Sequence, residues 1–363
     1  MLPIGQLFMT GFDGITPPPE LLSLIREEQL GGVILFARNI RSLPQLIELT
    51  AQLREAAGRT LLIAIDHEGG RVVRLKPPFT KPPPMAWVGA YADAHPAEPV
   101  AHALGEMMGR ELAAAGINVN FAPVLDINTN PDNPIIGDRA LHQSPRRVAE
   151  LGCDLLRGLH AGGVMSCGKH FPGHGDTPED SHLTLPNMPA TWDRLRQFEL
   201  LPFRAAIAAG CPMLMTAHIL YGVIDSVSPV TLSKWAITTL LRKEMGYDGV
   251  VVTDDLEMGA IARQMPPDVA AVRALAAGCD LCLICRDIAC TRRAIARVRE
   301  ALAARELLAE PIAAAIARVH RLMDRAAHLP PPPPYTIIGD AAHRALVTRI
   351  TAHAGAAKKQ HVE

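Results

Sequence analysis

The run KHFPGHGDTPEDSH, residues 169–182, holds three histidines, three acidic residues and a lysine in fourteen positions. Such a run is too polar for a core and too regular for a spacer. Three chemistries fit these residue types. A metal site would draw on His170, His174, His182, Asp176 and Asp180. His170 and His174 are four apart, as in a helical metal pair. Pro172, Gly173 and Gly175 lie between and beside them, which argues against a helix. A phosphate site would use Lys169 and the glycines, but their spacing is not that of a phosphate-binding loop. Covalent glycoside chemistry needs a carboxylate nucleophile and a proton donor. Asp254 supplies the first. Asp180 and His182, two apart, would form a carboxylate–imidazole pair in which Asp180 would orient the ring. Histidine titrates near neutral pH, so it donates a proton and then takes one back.

The elements that must position these groups are short apolar runs alternating with helical segments. The runs are 4–12, 32–37, 61–66, 118–127, 164–171, 212–219, 249–255 and 280–286. Near-continuous apolar strands alternating with helices predict a parallel sheet covered on both faces. Eight such units in one chain predict an α/β fold, a (β/α)8 TIM barrel. No Gly-x-Gly-x-x-Gly follows an early strand, which weakens the dinucleotide-binding alternative.

In a barrel, polar residues at strand C-termini converge on one face. Here those are Asp66, His67 and Glu68 with Arg71 and Arg74; Asp126 with Arg139; Lys169 and His170; His218; and Thr253, Asp254 and Asp255. Taken singly, each has a plainer reading, since an aspartate after a strand often caps the next helix. That reading stays open for Asp255 ahead of Leu256. Two long connections, 67–100 and 172–193, follow the third and fifth strands. Long loops in compact domains are usually functional or disordered.

The whole chain sets the limits. Its 363 residues carry a net charge of −1, are 48% hydrophobic and only 4% aromatic. Neither a nucleic-acid partner nor a membrane surface is indicated. The N-terminus MLPIGQLFMTGFDG has no basic-then-apolar export pattern, and no apolar run reaches 18 residues. A cytoplasmic protein acting as a monomer is the expectation. The seven cysteines are an odd count, expected as reduced thiols. Cys279, Cys282 and Cys285 have a spacing that invites an iron–sulfur reading. GCDLCLIC is better read as a buried strand, where cysteine acts as a small hydrophobe. The expected organisation is a barrel over 1–328, then the proline run LPPPPP (329–334) and a tail to 363 that packs or frays.

Seven stretches in order resemble glycoside hydrolase family 3: GQLFMTGFDG, GVILFARNI, AIDHEGGRVVRL, NVNFAPVLDI, IIGDRALH, GKHFPGHGDTPEDSHLTLP and GVVVTDDLEMGAI. The resemblance spans about residues 4–290 and is greatest to the family's single-domain branch of bacterial cytoplasmic β-N-acetylglucosaminidases, which serve cell-wall recycling. It implies a retaining hydrolase with no cofactor, acting on a small glycan. It implies Asp254 as nucleophile, His182 as acid/base and Asp180 as its partner. It implies Asp66, Arg74, Arg139, Lys169 and His170 as the residues that hold the N-acetylglucosamine ring. The sequence departs from the family at His67, where glutamine is more usual, and in the proline-rich stretch 77–84. A loop carrying His182 is expected to move on substrate binding. Alternatives are a phosphorylase of the same family, a metal-dependent barrel hydrolase using His170, His174 and His182, and a non-catalytic glycan-binding barrel. Asp180, His182 and Asp254 together argue against the last.

Overall fold

The apolar runs form strands because a parallel strand in the middle of an α/β fold is covered on both faces. In the computed structural model, which describes residues 2–130, 133–177 and 185–360, all eight appear in chain order. They are Phe8–Thr10, Gly32–Leu35, Leu62–Ile65, Val119–Asn120, Met165–Phe171, Met213–Thr216, Val250–Asp255 and Leu281–Ile284. Every pairing is parallel, and the first strand pairs with the eighth, Phe8 beside Cys282, to close the barrel. The (β/α)8 expectation is met.

The helices between them are set by local chemistry. Ser42 accepts the Gln45 amide at the start of helix Leu43–Ala57, and Gly58 ends it at φ 59°. Asp287 caps helix Ile288–Ala303 through the Cys290 amide. Helices Val100–Ala114 and Pro145–Ala161 meet through glycines. A Cβ on Gly158 would lie 2.1 Å from the His102 carbonyl oxygen, and one on Gly105 2.4 Å from that of Leu155. Both obstacles are backbone. Gly158→Ala is therefore expected to lower unfolding stability by about 1–3 kcal/mol, read as a fall in urea midpoint at constant slope. An unchanged midpoint would show that the two helices separate freely.

Two expectations are corrected and one is filled in. The fourth strand, expected over 118–127, is a ladder of only two residues followed by one bridge, Val124 to Lys169. Pro123 brings no N–H to the ladder, so pairing stops before it. The 67–100 connection is broken by helix Met85–Ala94, which leaves only 67–84 and 95–99 irregular. In the tail, expected to pack or fray, helix Ala341–Gln360 follows the proline run and buries Ile350 against the cluster of Val88, Tyr91 and Met107, while residues 361–363 lie outside the described ones.

All seven cysteines are buried and unbridged. Cys279 Sγ turns to the Thr231 carbonyl and Cys282 Sγ to that of Ala271, so the two thiols have separate partners. Among the described residues, no helix is long and apolar enough to cross a membrane.

Candidate active site

Asp66 directly follows the third strand, and a tight turn carries Glu68 back over the barrel mouth. That turn needs glycine at Gly69 and Gly70, where φ is 126° and 57°. The Gly70 amide bonds to the Pro82 carbonyl, so the turn rests on the proline-rich stretch. Lys169, near the end of the fifth strand, places Nζ 2.7 Å from Asp66 Oδ1 and 2.6 Å from Glu68 Oε1. Arg139 grips Glu68 with two bonds of 2.8 Å. Arg74 Nη2 lies 3.6 Å from Asp66 Oδ2. Positive and negative groups thus alternate from Arg74 through Asp66, Lys169 and Glu68 to Arg139.

Burial alone would raise the Glu68 carboxyl, but Arg139 and Lys169 outweigh it and hold it well below the usual range. Burial would likewise lower Lys169, and Asp66 and Glu68 reverse that and raise it. Glu68 and Lys169 are therefore both charged at neutral pH.

His170 is fixed from behind. Its Nδ1 lies 2.7 Å from Oδ2 of the fully buried Asp126, whose Oδ1 also accepts the amides of His170 and His174. That leaves Nε2 as the ring's group for a ligand. Asp254, in the seventh strand, accepts the Asp255 amide at 2.8 Å. Burial would raise its carboxyl, yet His218, His170, that amide and Lys169 together bring it below the ordinary value. Its neighbour goes the other way: burial, with Glu257 and Asp254 adding to it, pushes Asp255 up to about 7. Asp255 does not cap a helix at Leu256. Its carboxylate accepts the Glu257 and Cys285 amides, and the next helix starts at Gly259.

Asp66, Arg74, Arg139, Lys169, His170 and Asp254 all line one cleft of about 650 Å³ at the C-terminal ends of the strands. These are six of the eight residues singled out in the sequence; Asp180 and His182 lie outside the described residues. Of the metal candidates that are described, His170 is bonded to Asp126, His174 to Thr177 Oγ1 and Asp176 to Arg194. Among the described residues, no group of three or more His, Cys, Asp or Glu side chains is placed to hold a metal ion. Burial pushes His174 down to about 4, so its ring is neutral. His67 is buried behind the cleft, and His218 sits between Thr231 and the Asp255 carbonyl.

Sequence reasoning placed Glu68 on the converging face without a role, and it missed Asn133. Glu68 is the centre of the charge network, between Arg139 and Lys169. Asn133 ties two loops together. Its Oδ1 accepts the Ile135 and Ile136 amides, and its Nδ2 donates to the His174 and Gly175 carbonyls. It thereby joins the Arg139 loop to the start of the 172–186 loop. No spacing rule marks such a residue.

Comparison with known proteins gives the family. The family model for the glycosyl hydrolase family 3 N terminal domain matches residues 2–322. A β-hexosaminidase of Nitrosospira multiformis is 41% identical over 265 residues, 72% of this chain and 75% of that one. The structure of a family 3 β-N-acetylglucosaminidase from a Paenibacillus species superposes with a TM-score of 0.90 at 40% identity, over 97% of this chain and 68% of that one. NagZ from Neisseria gonorrhoeae, solved with N-trifluoroacetyl-D-glucosamine, gives 0.78 at 31% identity, over 96% and 98%. With its barrel, its strand-end charges and these relatives, the chain belongs to glycoside hydrolase family 3, on its β-N-acetylhexosaminidase branch.

Proposed function

We propose that the enzyme removes non-reducing terminal β-N-acetylglucosamine from peptidoglycan fragments, N-acetylglucosaminyl-1,6-anhydro-N-acetylmuramic acid and its peptides, during cytoplasmic cell-wall recycling. Residues 1–328 form the catalytic barrel and 329–363 a C-terminal appendage. Asp254 attacks the anomeric carbon while His182, oriented by Asp180, protonates the leaving oxygen. A glycosyl-enzyme forms on Asp254. Water, deprotonated by the same His182, then releases the sugar with its configuration retained.

The observation that carries this reading is the shared cleft: an ionised Asp254 faces Asp66, Arg74, Arg139, Lys169 and His170. Paired carboxylates and cations suit charge-assisted bonds to sugar hydroxyls. Arg74 Nε is buried with no hydrogen-bond partner among the described residues, and a sugar oxygen would satisfy it.

The test is the anomeric form of the first product from 4-nitrophenyl N-acetyl-β-glucosaminide, followed by proton NMR. A β-anomer that only later equilibrates is expected. An α-anomer appearing first would reject the covalent route. Release of N-acetylglucosamine from the anhydro-disaccharide peptide, compared with a chitin disaccharide, tests the aglycone.

A further inference from the structure

Two features of the sequence stand outside the chemistry above: the stretch KPPFTKPPP, residues 76–84, and the segment after LPPPPP. The structure joins them at one buried carboxylate. Glu111, on helix Val100–Ala114, is 3% exposed. Its Oε2 accepts the Thr80 amide at 2.8 Å, and its Oε1 accepts the Thr80 hydroxyl at 2.7 Å. The same Oε1 accepts the Gly339 amide at 3.0 Å and His343 Nδ1 at 2.7 Å. Four donors from two distant segments therefore meet on one side chain. Thr80 and His343 are themselves buried.

The fit around this knot is close. Gly339 has φ 67°, and a Cβ there would lie 2.0 Å from the Pro78 carbonyl oxygen. On its far side the proline-rich stretch supports the cleft. Pro82 receives the Gly70 amide, and a Cβ on Gly69 would meet the Pro83 carbonyl oxygen at 2.4 Å. The buried His67 ring stands between. Burial pushes it down to about 4 against the opposing pull of Glu111, so it is neutral, and its Nδ1 accepts the Arg74 amide at 3.4 Å.

We infer that Glu111 is a positioning residue for the sugar-binding cleft: with Thr80 and His343 it fastens the segment 335–344 to the loop after the third strand and so sets where Arg74 stands. A buried carboxylate with four donors is stiff, because releasing any donor leaves a buried polar group unpaired. A loop held this way keeps its ligand-binding groups in place before substrate arrives. The departure at His67 and the proline-rich stretch then belong to one arrangement.

The inference rests on Arg74 as a sugar ligand. The test compares steady-state constants of the full chain for 4-nitrophenyl N-acetyl-β-glucosaminide in Thr80→Val, His343→Ala and Glu111→Gln, at a temperature where circular dichroism shows each variant folded. KM is expected to rise roughly ten-fold with kcat within about two-fold of wild type. Adding His343→Ala to Arg74→Ala should raise KM no further, since the knot acts through that arginine. A lower urea midpoint with KM unchanged in Thr80→Val and His343→Ala would make the knot a structural tie only and overturn the inference. An Arg74→Ala variant with wild-type KM would reject the ligand reading itself, and the inference with it.

Discussion

Asp254→Ala is expected to lower kcat on 4-nitrophenyl N-acetyl-β-glucosaminide by at least about 10⁴-fold, with the thermal transition close to that of wild type. The side chain accepts only the adjacent Asp255 amide among the described residues and binds no element of the fold to another. Its environment instead keeps it charged, and a charged carboxylate open to the cleft is what attack on an anomeric carbon requires. Azide is expected to recover part of the lost turnover by entering the space left by the carboxylate. The azido sugar formed would have inverted configuration, because one displacement has replaced two. Wild-type turnover should persist in EDTA. Undiminished activity in the variant, or wild-type activity abolished by EDTA, would return the histidines of 169–182 to consideration as ligands.

Glu68→Gln is expected to damage both stability and activity. The carboxylate is 2% exposed and held by Arg139 and Lys169. The amide keeps its shape but leaves those buried cations without their shared counter-charge. Removing one member of such a buried pair costs about 3–5 kcal/mol. The pH dependence has a definite sign. The folded carboxyl lies below its unfolded value of about 4.3, so the stabilisation is complete above that pH and is lost as pH falls through the acid range. Urea melts between pH 7 and pH 3 should show wild-type stability falling more steeply than that of the variant. Parallel curves would mean that Arg139 and Lys169 find other partners when Glu68 is neutralised.

Much of the fold was readable because the physics is local. Strands covered on both faces are apolar throughout, and glycines and capping residues mark where helices start or stop. The strand-end polar residues could be read for the same reason: Asp66, Lys169 and Asp254 interrupt runs that are otherwise apolar. The role of Glu68 could not be read this way. Its partners are 71 and 101 positions along the chain, and only closure of the barrel brings them near. The fourth strand was overestimated because its apolar pattern continues past Pro123, while pairing depends on N–H groups that a hydropathy pattern does not register. The terminal helix was missed because few of its residues are buried, with Ile350 and Ala354 the apolar ones, so its apolar stripe is faint. The assignments at Asp180 and His182 rest on the family resemblance.

Barrel closure has a consequence for how the molecule is made. The Thr10 hydroxyl bonds to the Ile284 carbonyl, and the two residues are 274 positions apart. The first strand leaves the ribosome early, but its second neighbour exists only after most of the chain has been translated. Until then the growing sheet has two open edges, each a template for pairing with another chain. The knot at Glu111 falls later still, since it waits for Gly339 and His343. Synthesis therefore ends with two separate fastenings, one that removes the edges and one that braces the cleft, and an interrupted translation product would lack the second even where it had achieved the first.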